Sequence, residues 1–290
     1  VAVDLTRTVL GQRFQNPVLL AAGTAGFGRE VAGVIDLERL GGLCTKAVSP
    51  EPRPGNPAPR VAEFGAGMLN SVGLANPGLD RVRQDQLPWL AANVRAARIL
   101  VNVVGFVEAD FAEVVAGLDG FDCITAFEIN LSCPNTSAGG LEFGAVPGTA
   151  ARVVELCAAR TRKPLLAKLS PALPDIAAMA LVARDAGASG VTVVNTIPGC
   201  LSDRQGVSRL GSGNGGVSGP ALLPVGVLAV RRIMDKSGGM PVIGVGGVRS
   251  GDDARQYLRA GAALVGIGTA ALADPRLPER VVSHLERHGP

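Results

Sequence analysis

PLLAKLSPALPDIAAMALVARDAGASGVTVVN, residues 164–195, contains one complete repeat of the architecture. An apolar run at 164–168 ends on a lysine, an alanine-rich stretch with helical spacing follows at 175–186, and a β-branched run at 190–195 ends on an asparagine. Strand, amphipathic helix and strand in that order predict parallel pairing through a right-handed crossover. The pattern extends in both directions. Further apolar runs at 17–22, 42–46, 99–103, 126–131, 241–245 and 264–268 bring the expected strands to eight, and 150–160 reads as another intervening helix. Eight such units predict an α/β fold, a single (β/α)8 TIM barrel over residues 1–290, with an open doubly wound sheet as the alternative. The segment before Pro17, TRTVLGQRFQ, reads as an N-terminal hairpin that turns near Gly11 and covers the bottom of the barrel.

Two connections are long for a compact domain. Residues 47–78 are rich in Pro, Gly and Asn, and residues 201–219 carry GSGNGG at 211–216. Both are expected to lie over the C-terminal face. GSGNGG follows no strand directly, so it reads as a flexible lid rather than a dinucleotide fingerprint.

Hydrophobic residues make up 47% of the chain, enough for a large core, and the net charge is only +3. Lys and Arg form no run, so nucleic acid is not an expected partner. No signal-like segment is visible, and the apolar stretch at 260–273 is glycine-interrupted and too short to span a bilayer. A soluble, cytoplasmic chain with no membrane association is expected. Cys44, Cys123, Cys133, Cys157 and Cys200 are odd in number and none sits at C-x-x-C spacing. This disfavours a disulfide framework, a metal site or an iron–sulfur cluster held by this chain alone. Both histidines, His284 and His288, lie in the last seven residues. Proton chemistry therefore falls to Cys, Lys, Asp, Glu or Tyr257.

The residues at or just past the expected strand ends are Gly23, Lys46, Asn102, Asn130, Lys168, Asn195, Gly246 with Gly247, and Gly268 with Thr269. In a barrel all these ends meet on the face where active sites form. One Asn or Gly at a strand end is ordinary turn chemistry; amides and amines at five of them point to a ligand. GVGG (244–247) and GIGT (266–269) follow strands seven and eight, where backbone N–H groups hold phosphates in many barrels; the bland reading is a pair of tight turns. Lys46 and Lys168 end apolar runs, and a lysine in a barrel mouth must be paired or solvated. It can meet a carboxylate or a charged ring, or simply snorkel at the rim. Asn70, Asn102, Asn130 and Asn195 both donate and accept, which suits a flavin or a pyrimidine edge. Cys133, in NLSCPNTSAGG (130–140), lies on a loop over the mouth, where a cysteine can be nucleophile or base. Cys44, Cys123 and Cys157 read as small buried residues, and Cys200, after strand six, is given no role.

At these residues the chain resembles the class 1 dihydroorotate dehydrogenases. The segments that carry the resemblance are KAVSPEPRPGNPAPRVAEFGAGMLNSVGLANPG (46–78), INLSCPNTSAGG (129–140), VNTIPG (194–199), GGVSGPA (215–221) and PVIGVGGVRSGDDA (241–254). They span nearly the whole chain, and GMLNSVGLANPG with NLSCPN is highly specific. LPWL (87–90) looks more like the class 1B catalytic subunit than class 1A. The resemblance implies oxidation of dihydroorotate to orotate in pyrimidine biosynthesis, with one FMN per chain. It implies FMN contacts at Ala22, Lys46, Ala47, Asn102, Asn130, Lys168, Val194, Gly219, Gly246, Gly247, Gly268 and Thr269. Substrate contacts are implied at Lys46, Asn70, Ser71, Val72, Gly73, Leu74, Asn130, Asn195 and Thr196. Cys133 is implied as the base that takes the C5 proton, with flavin N5 accepting hydride from C6 and Lys168 beside flavin N1. Relatives often carry a serine where this chain has Ala22, which removes a hydroxyl contact. Class 1B further implies a homodimer core, joined in a heterotetramer by an electron-transfer subunit carrying FAD and a [2Fe–2S] cluster, with NAD as final acceptor. A class 1A chain would instead pass electrons to fumarate. The rival readings are a related FMN barrel acting on another dihydropyrimidine and a non-catalytic barrel binding a phosphate ligand.

Overall fold

The computed structural model describes residues 3–65, 67–132, 134–135 and 141–290. A hairpin of β1 (Arg7–Val9) and β2 (Gln12–Phe14) precedes the barrel. Leu10 and Gly11 turn it at φ 55° and 70°, the pair of positive values that suits a two-residue hairpin. The closed ring then runs through β3 (Val18–Leu20), β4 (Gly42–Cys44), β7 (Arg98–Val103), β8 (Ile124–Asn130), β11 (Leu165–Leu169), β12 (Gly190–Val193), β15 (Val242–Val245) and β16 (Leu264–Ile267). Each strand is parallel to its neighbours, and β16 pairs with β3, Val265 opposite Val18, so the sheet is closed rather than open. All eight strands fall on the expected apolar runs.

The repeat at 164–195 shows why. Asp175 caps α5 (Ile176–Asp185) by accepting hydrogen bonds from the backbone N–H groups of Ala177 and Ala178. The helix lays Ile176, Ala177, Met179, Ala180 and Ala183 against the barrel and ends before Gly187, at φ 112°. Its partners are α3 (Glu108–Leu118), α4 (Pro147–Ala158), α6 (Leu222–Ser237), α7 (Gly251–Arg259) and α9 (Leu277–His288), which pack side by side around the outside. Between β4 and β7 the chain forms a helical stretch of α1 (Leu79–Arg81), a wide turn over Val82–Gln86, and α2 (Leu87–Asn93).

Side chains alternate across each strand with period two. On β11, Leu165, Ala167 and Leu169 pack outward under the helices, while Leu166 and Lys168 face the barrel interior. The lowest interior layer is apolar: Leu19, Cys44, Leu100, Ala126, Leu166, Ile243 and Leu264, closed from below by Val9 and the fully buried Phe14 of the hairpin. The barrel is thus plugged at one end, and any ligand must enter at the other.

The two long connections are more ordered than a loop reading implies. β5 (Val61–Phe64) and β6 (Gly67–Asn70) come from the first, β14 (Gly215–Ser218) from the second and β13 (Ile197–Gly199) from just before it, and together they form a four-stranded antiparallel sheet in the order β13-β14-β6-β5. The glycine-rich stretch read as a flexible lid therefore ends inside a strand. Its last two glycines are there for closeness: a β-carbon on Gly215 would strike the Asn70 carbonyl, and one on Gly216 the Thr196 hydroxyl. β9 (Pro134–Asn135) and β10 (Leu141–Glu142) form a two-residue antiparallel pair. Among the described residues no helix is long and apolar enough to cross a membrane.

Candidate active site

A polar cluster rests on the apolar floor. Glu128, inside β8 and only 3% exposed, accepts two hydrogen bonds and meets an ammonium on one oxygen, Oε1. Asn102 Nδ2 on β7 lies at 2.7 Å, Cys44 Sγ on β4 at 3.3 Å, and Lys168 Nζ on β11 at 3.5 Å. The strands place these groups together because Cys44, Asn102, Glu128 and Lys168 all fall on inward-facing positions of neighbouring strands. Burial, then the negative charge of Glu128, pushes the Cys44 thiol well above its ordinary range, so it serves as an S–H donor and not as a thiolate.

Above the floor sit the amides. Asn130 ends β8, and its Oδ1 receives the side-chain N–H of Asn195 at 3.4 Å and the backbone N–H of Ser132 at 3.3 Å. Asn195 in turn accepts from the Thr196 backbone at 2.9 Å. Asn70, at the end of β6, donates to the Gly216 carbonyl on β14 at 3.2 Å. The loop of Asn70, Ser71, Val72, Gly73 and Leu74 is braced from outside by Asn56, which donates to Ser71 Oγ and, through its backbone N–H, to the Val72 carbonyl. Gly73 and Leu74 both take positive φ. Asn76 fastens the far end: buried, it donates to Ser49 Oγ and the Leu74 carbonyl and accepts from the N–H groups of Ser49 and Gly78. Lys46 follows β4 by two residues, and its backbone N–H is held by the Gly26 carbonyl at 2.7 Å. Ala47 and Val194 are buried, and Ala22 packs on the interior layer.

Directly across the ring from β7 and β8, the ends of β15 and β16 form a glycine cradle. Gly246 and Gly247 have φ 119° and 76°, and Gly219, at φ 114°, precedes α6. Thr269 Oγ1 donates to Ser218 Oγ at 2.8 Å, tying the start of α8 (Thr269–Ala273) to the end of β14. Tyr257 Oη lies 2.9 and 2.8 Å from the Val245 and Gly246 carbonyls, so its hydroxyl engages those oxygens from behind the turn. A β-carbon on Gly247 would collide with the backbone nitrogen of Leu223. Gly247→Ala is therefore expected to weaken binding of a phosphate-bearing ligand at least about tenfold, or ~1.4 kcal/mol, in a calorimetric titration. Gly213→Ala, at φ +88° with nothing within 4 Å, carries the same backbone strain without the collision and should leave affinity near wild type.

The structure thus brings together Lys168, Asn102, Asn130, Asn195 and Thr196, joins Asn70 to the same rim through β14, and sets Gly219, Gly246, Gly247, Gly268 and Thr269 across the ring. Cys133 lies outside the described residues. Sequence reading missed Glu128, Asn56 and Asn76. A signal for Glu128 was available: it sits two residues before Asn130 in an apolar run, hence on the same inward face. His284 and His288 stack on one another in α9 with ring centroids 4.5 Å apart, beside Asp252 on the outer helices. Cys200 is exposed.

Comparison with known proteins identifies the family and the fold. The family model for dihydroorotate dehydrogenase matches residues 4–288. A dihydroorotate dehydrogenase B (NAD(+)) catalytic subunit of Geobacter sp. (strain M21) is 40% identical over 288 residues, covering 98% of this chain and 93% of its own. A protein of the same description from Desulforudis audaxviator is 41% identical over 281 residues, covering 97% and 91%. Among solved structures, the crystal structure of DHODH from Eimeria tenella in complex with ferulenol superposes with a TM-score of 0.81 at 25% identity, over 97% of this chain and 83% of that one. With a family model matched from end to end on a closed barrel of this kind, the chain belongs to the dihydroorotate dehydrogenase family, in its NAD-linked B class.

Proposed function

We propose that this chain is the catalytic subunit of an NAD-linked dihydroorotate dehydrogenase, oxidising dihydroorotate to orotate in pyrimidine biosynthesis with FMN held in the barrel mouth. The observation that carries this reading is the layout of that mouth: a paired lysine on the floor, linked amides on one wall, and a glycine cradle across from them. The residues present fit FMN. Ser132 and Thr192 carry buried hydroxyls with no partner among the described residues, Ser132 two residues past Asn130 and Thr192 opposite Lys168 in the strand register, which suits a polar ligand there. The cradle suits the phosphate monoester of FMN, with Gly219, Gly246, Gly247, Gly268 and Thr269 around it. Ala22, Lys46, Ala47, Asn102, Asn130, Lys168 and Val194 would line the ring.

Bound FMN would supply the hydride acceptor for C6 of the substrate. The chain supplies the rest. Cys133 takes the C5 proton. Asn70, Asn130, Asn195 and Thr196 hold the ring amides of the substrate, and Lys46 its carboxylate. The Ser71–Leu74 turn closes over it. Lys168 stabilises the negative charge that builds on the cofactor side, a preorganised electrostatic effect. Electrons leave through a partner, an FAD and [2Fe–2S] subunit docked on a homodimer of this chain. Supporting that step, the B-class relatives are described as catalytic subunits of an NAD(+)-linked enzyme.

The test is the visible spectrum of the purified chain, followed by turnover. A flavin spectrum bleached by dihydroorotate is expected, with a dye reduced and negligible NAD turnover until the partner is added. A colourless protein would mean a phosphate-binding barrel. Bleaching by another dihydropyrimidine alone would change the substrate. Rapid turnover with fumarate by the isolated chain would reject the B-class electron route and leave the rest.

A further inference from the structure

Glu128 is the charged group for which the reaction has no direct use. It lies below the mouth, nine-tenths or more buried, above a layer of Leu19, Leu100, Leu166, Ile243 and Leu264 from which the Cys44 thiol reaches it. Its polar neighbours are the Lys168 ammonium, the Asn102 amide and the Cys44 thiol, all at one oxygen. One carboxylate oxygen accepts from Asn102 and Cys44 while the Lys168 ammonium pairs with its charge at 3.5 Å. Glu128 and Lys168 thus face each other as a buried ion pair beneath the mouth. Placing an unpaired charge so deep would be costly, which is the ordinary reason such pairs are closed.

We propose that Glu128 is a positioning residue for Lys168: it fixes the ammonium at the floor of the mouth and offsets its charge, so that the floor is close to neutral until negative charge arrives from above. The inference rests on the reading of Lys168 as the group facing the flavin. A bare lysine there would favour the reduced, negatively charged state strongly and hold electrons back. A lysine paired from below favours it less, which keeps the site able to hand electrons on. Asn102 and Cys44 serve the same end by holding Glu128 in place, their donors occupying the side of the carboxylate turned toward Lys168.

The experiment is the midpoint potential of the bound flavin in wild-type protein and in Glu128→Gln, which keeps the shape and an accepting oxygen but removes the charge. The variant is expected to raise the ratio of reduced-to-oxidised flavin affinity about tenfold, a positive shift of ~30 mV for a two-electron couple. Glu128→Asp keeps the charge but withdraws it by one methylene. It should leave the potential within about 10 mV of wild type, under a threefold change in that ratio, while slowing flavin reduction. If Glu128→Gln does not fold, the pair Lys168→Met and Lys168→Met/Glu128→Gln isolates the charge that Glu128 brings to the floor. The double variant strands no charge, and its potential should lie above that of the single one. FMN bound with an unmoved or lowered potential on loss of the Glu128 charge overturns this inference alone. A wild-type chain that binds no FMN overturns it together with the function proposed above.

Discussion

Cys133→Ser is expected to slow reduction of the flavin by dihydroorotate by about 10²–10⁴-fold, the usual range for losing a general base, with FMN still bound. A serine hydroxyl is far less acidic than a thiol and gives almost no anion at neutral pH. Cys44, Tyr257 and the histidines do not stand in for it. Cys44 is buried, its thiol is pushed up, and its hydrogen is directed at Glu128. The Tyr257 phenol is likewise pushed up, by burial first and the charge of Asp253 second, and is bonded behind the glycine cradle. The two histidines face each other on an outer helix. Stopped-flow absorbance would measure the loss directly. In wild-type protein the rate should rise with pH along a thiol limb, and that limb should be missing in the variant. A variant that reduces its flavin at the normal rate would remove Cys133 from the reaction.

Lys168→Met should be the second large effect, and it divides into two parts that can be separated. Breaking a buried ion pair from one side leaves the other charge stranded, at a cost of about 3–5 kcal/mol in stability. Removing a preorganised charge from the place where negative charge develops costs about 10²–10³ in rate. The double variant Lys168→Met/Glu128→Gln removes the stranded carboxylate as well. It should recover most of the lost stability in a denaturant melt while the rate of flavin reduction stays low. Recovery of rate along with stability would mean that the lysine acts only by holding the fold together.

Much of this architecture was readable before the structure because the barrel repeats one local pattern. Each apolar run is long enough for a strand, each following stretch has helical spacing, and the capping Asp175 stands where a helix begins. The hairpin was readable from Leu10-Gly11 between two short polar–apolar alternations. The sheet of β13, β14, β6 and β5 was not. Three of its strands, β6, β13 and β14, carry Gly or Pro within four residues or fewer, and its key contact, Asn70 to Gly216, joins residues 146 apart. Such pairing is set by tertiary closeness, which propensity does not report. The strand-end reading found Lys168 and the asparagines because polar residues closing apolar runs stand out. It passed over Glu128 because that residue sits within such a run, and over Asn56 and Asn76 because an Asn beside Pro looks like any turn. All three turn out to hold the groups expected to touch ligand.

The pairing of β16 with β3 carries a consequence for how the molecule is made. The ring is completed by contacts between Val18–Leu20 and residues 265–267, so its first and last strands are near neighbours in space and nearly a chain length apart in order. During synthesis the early strand leaves the ribosome long before its partner exists. The hairpin plug has no complete layer to close until that partner arrives, since Leu264 belongs to the layer that Val9 and Phe14 cover. Contacts this distant in sequence are late and slow to form. An incomplete chain would hold β3 as an exposed edge, open to pairing with a neighbouring chain. The final β-strand thus acts as the clasp of the whole fold, and a chain cut before it would lose closure at the N-terminal side of the barrel as well as at the C-terminal one.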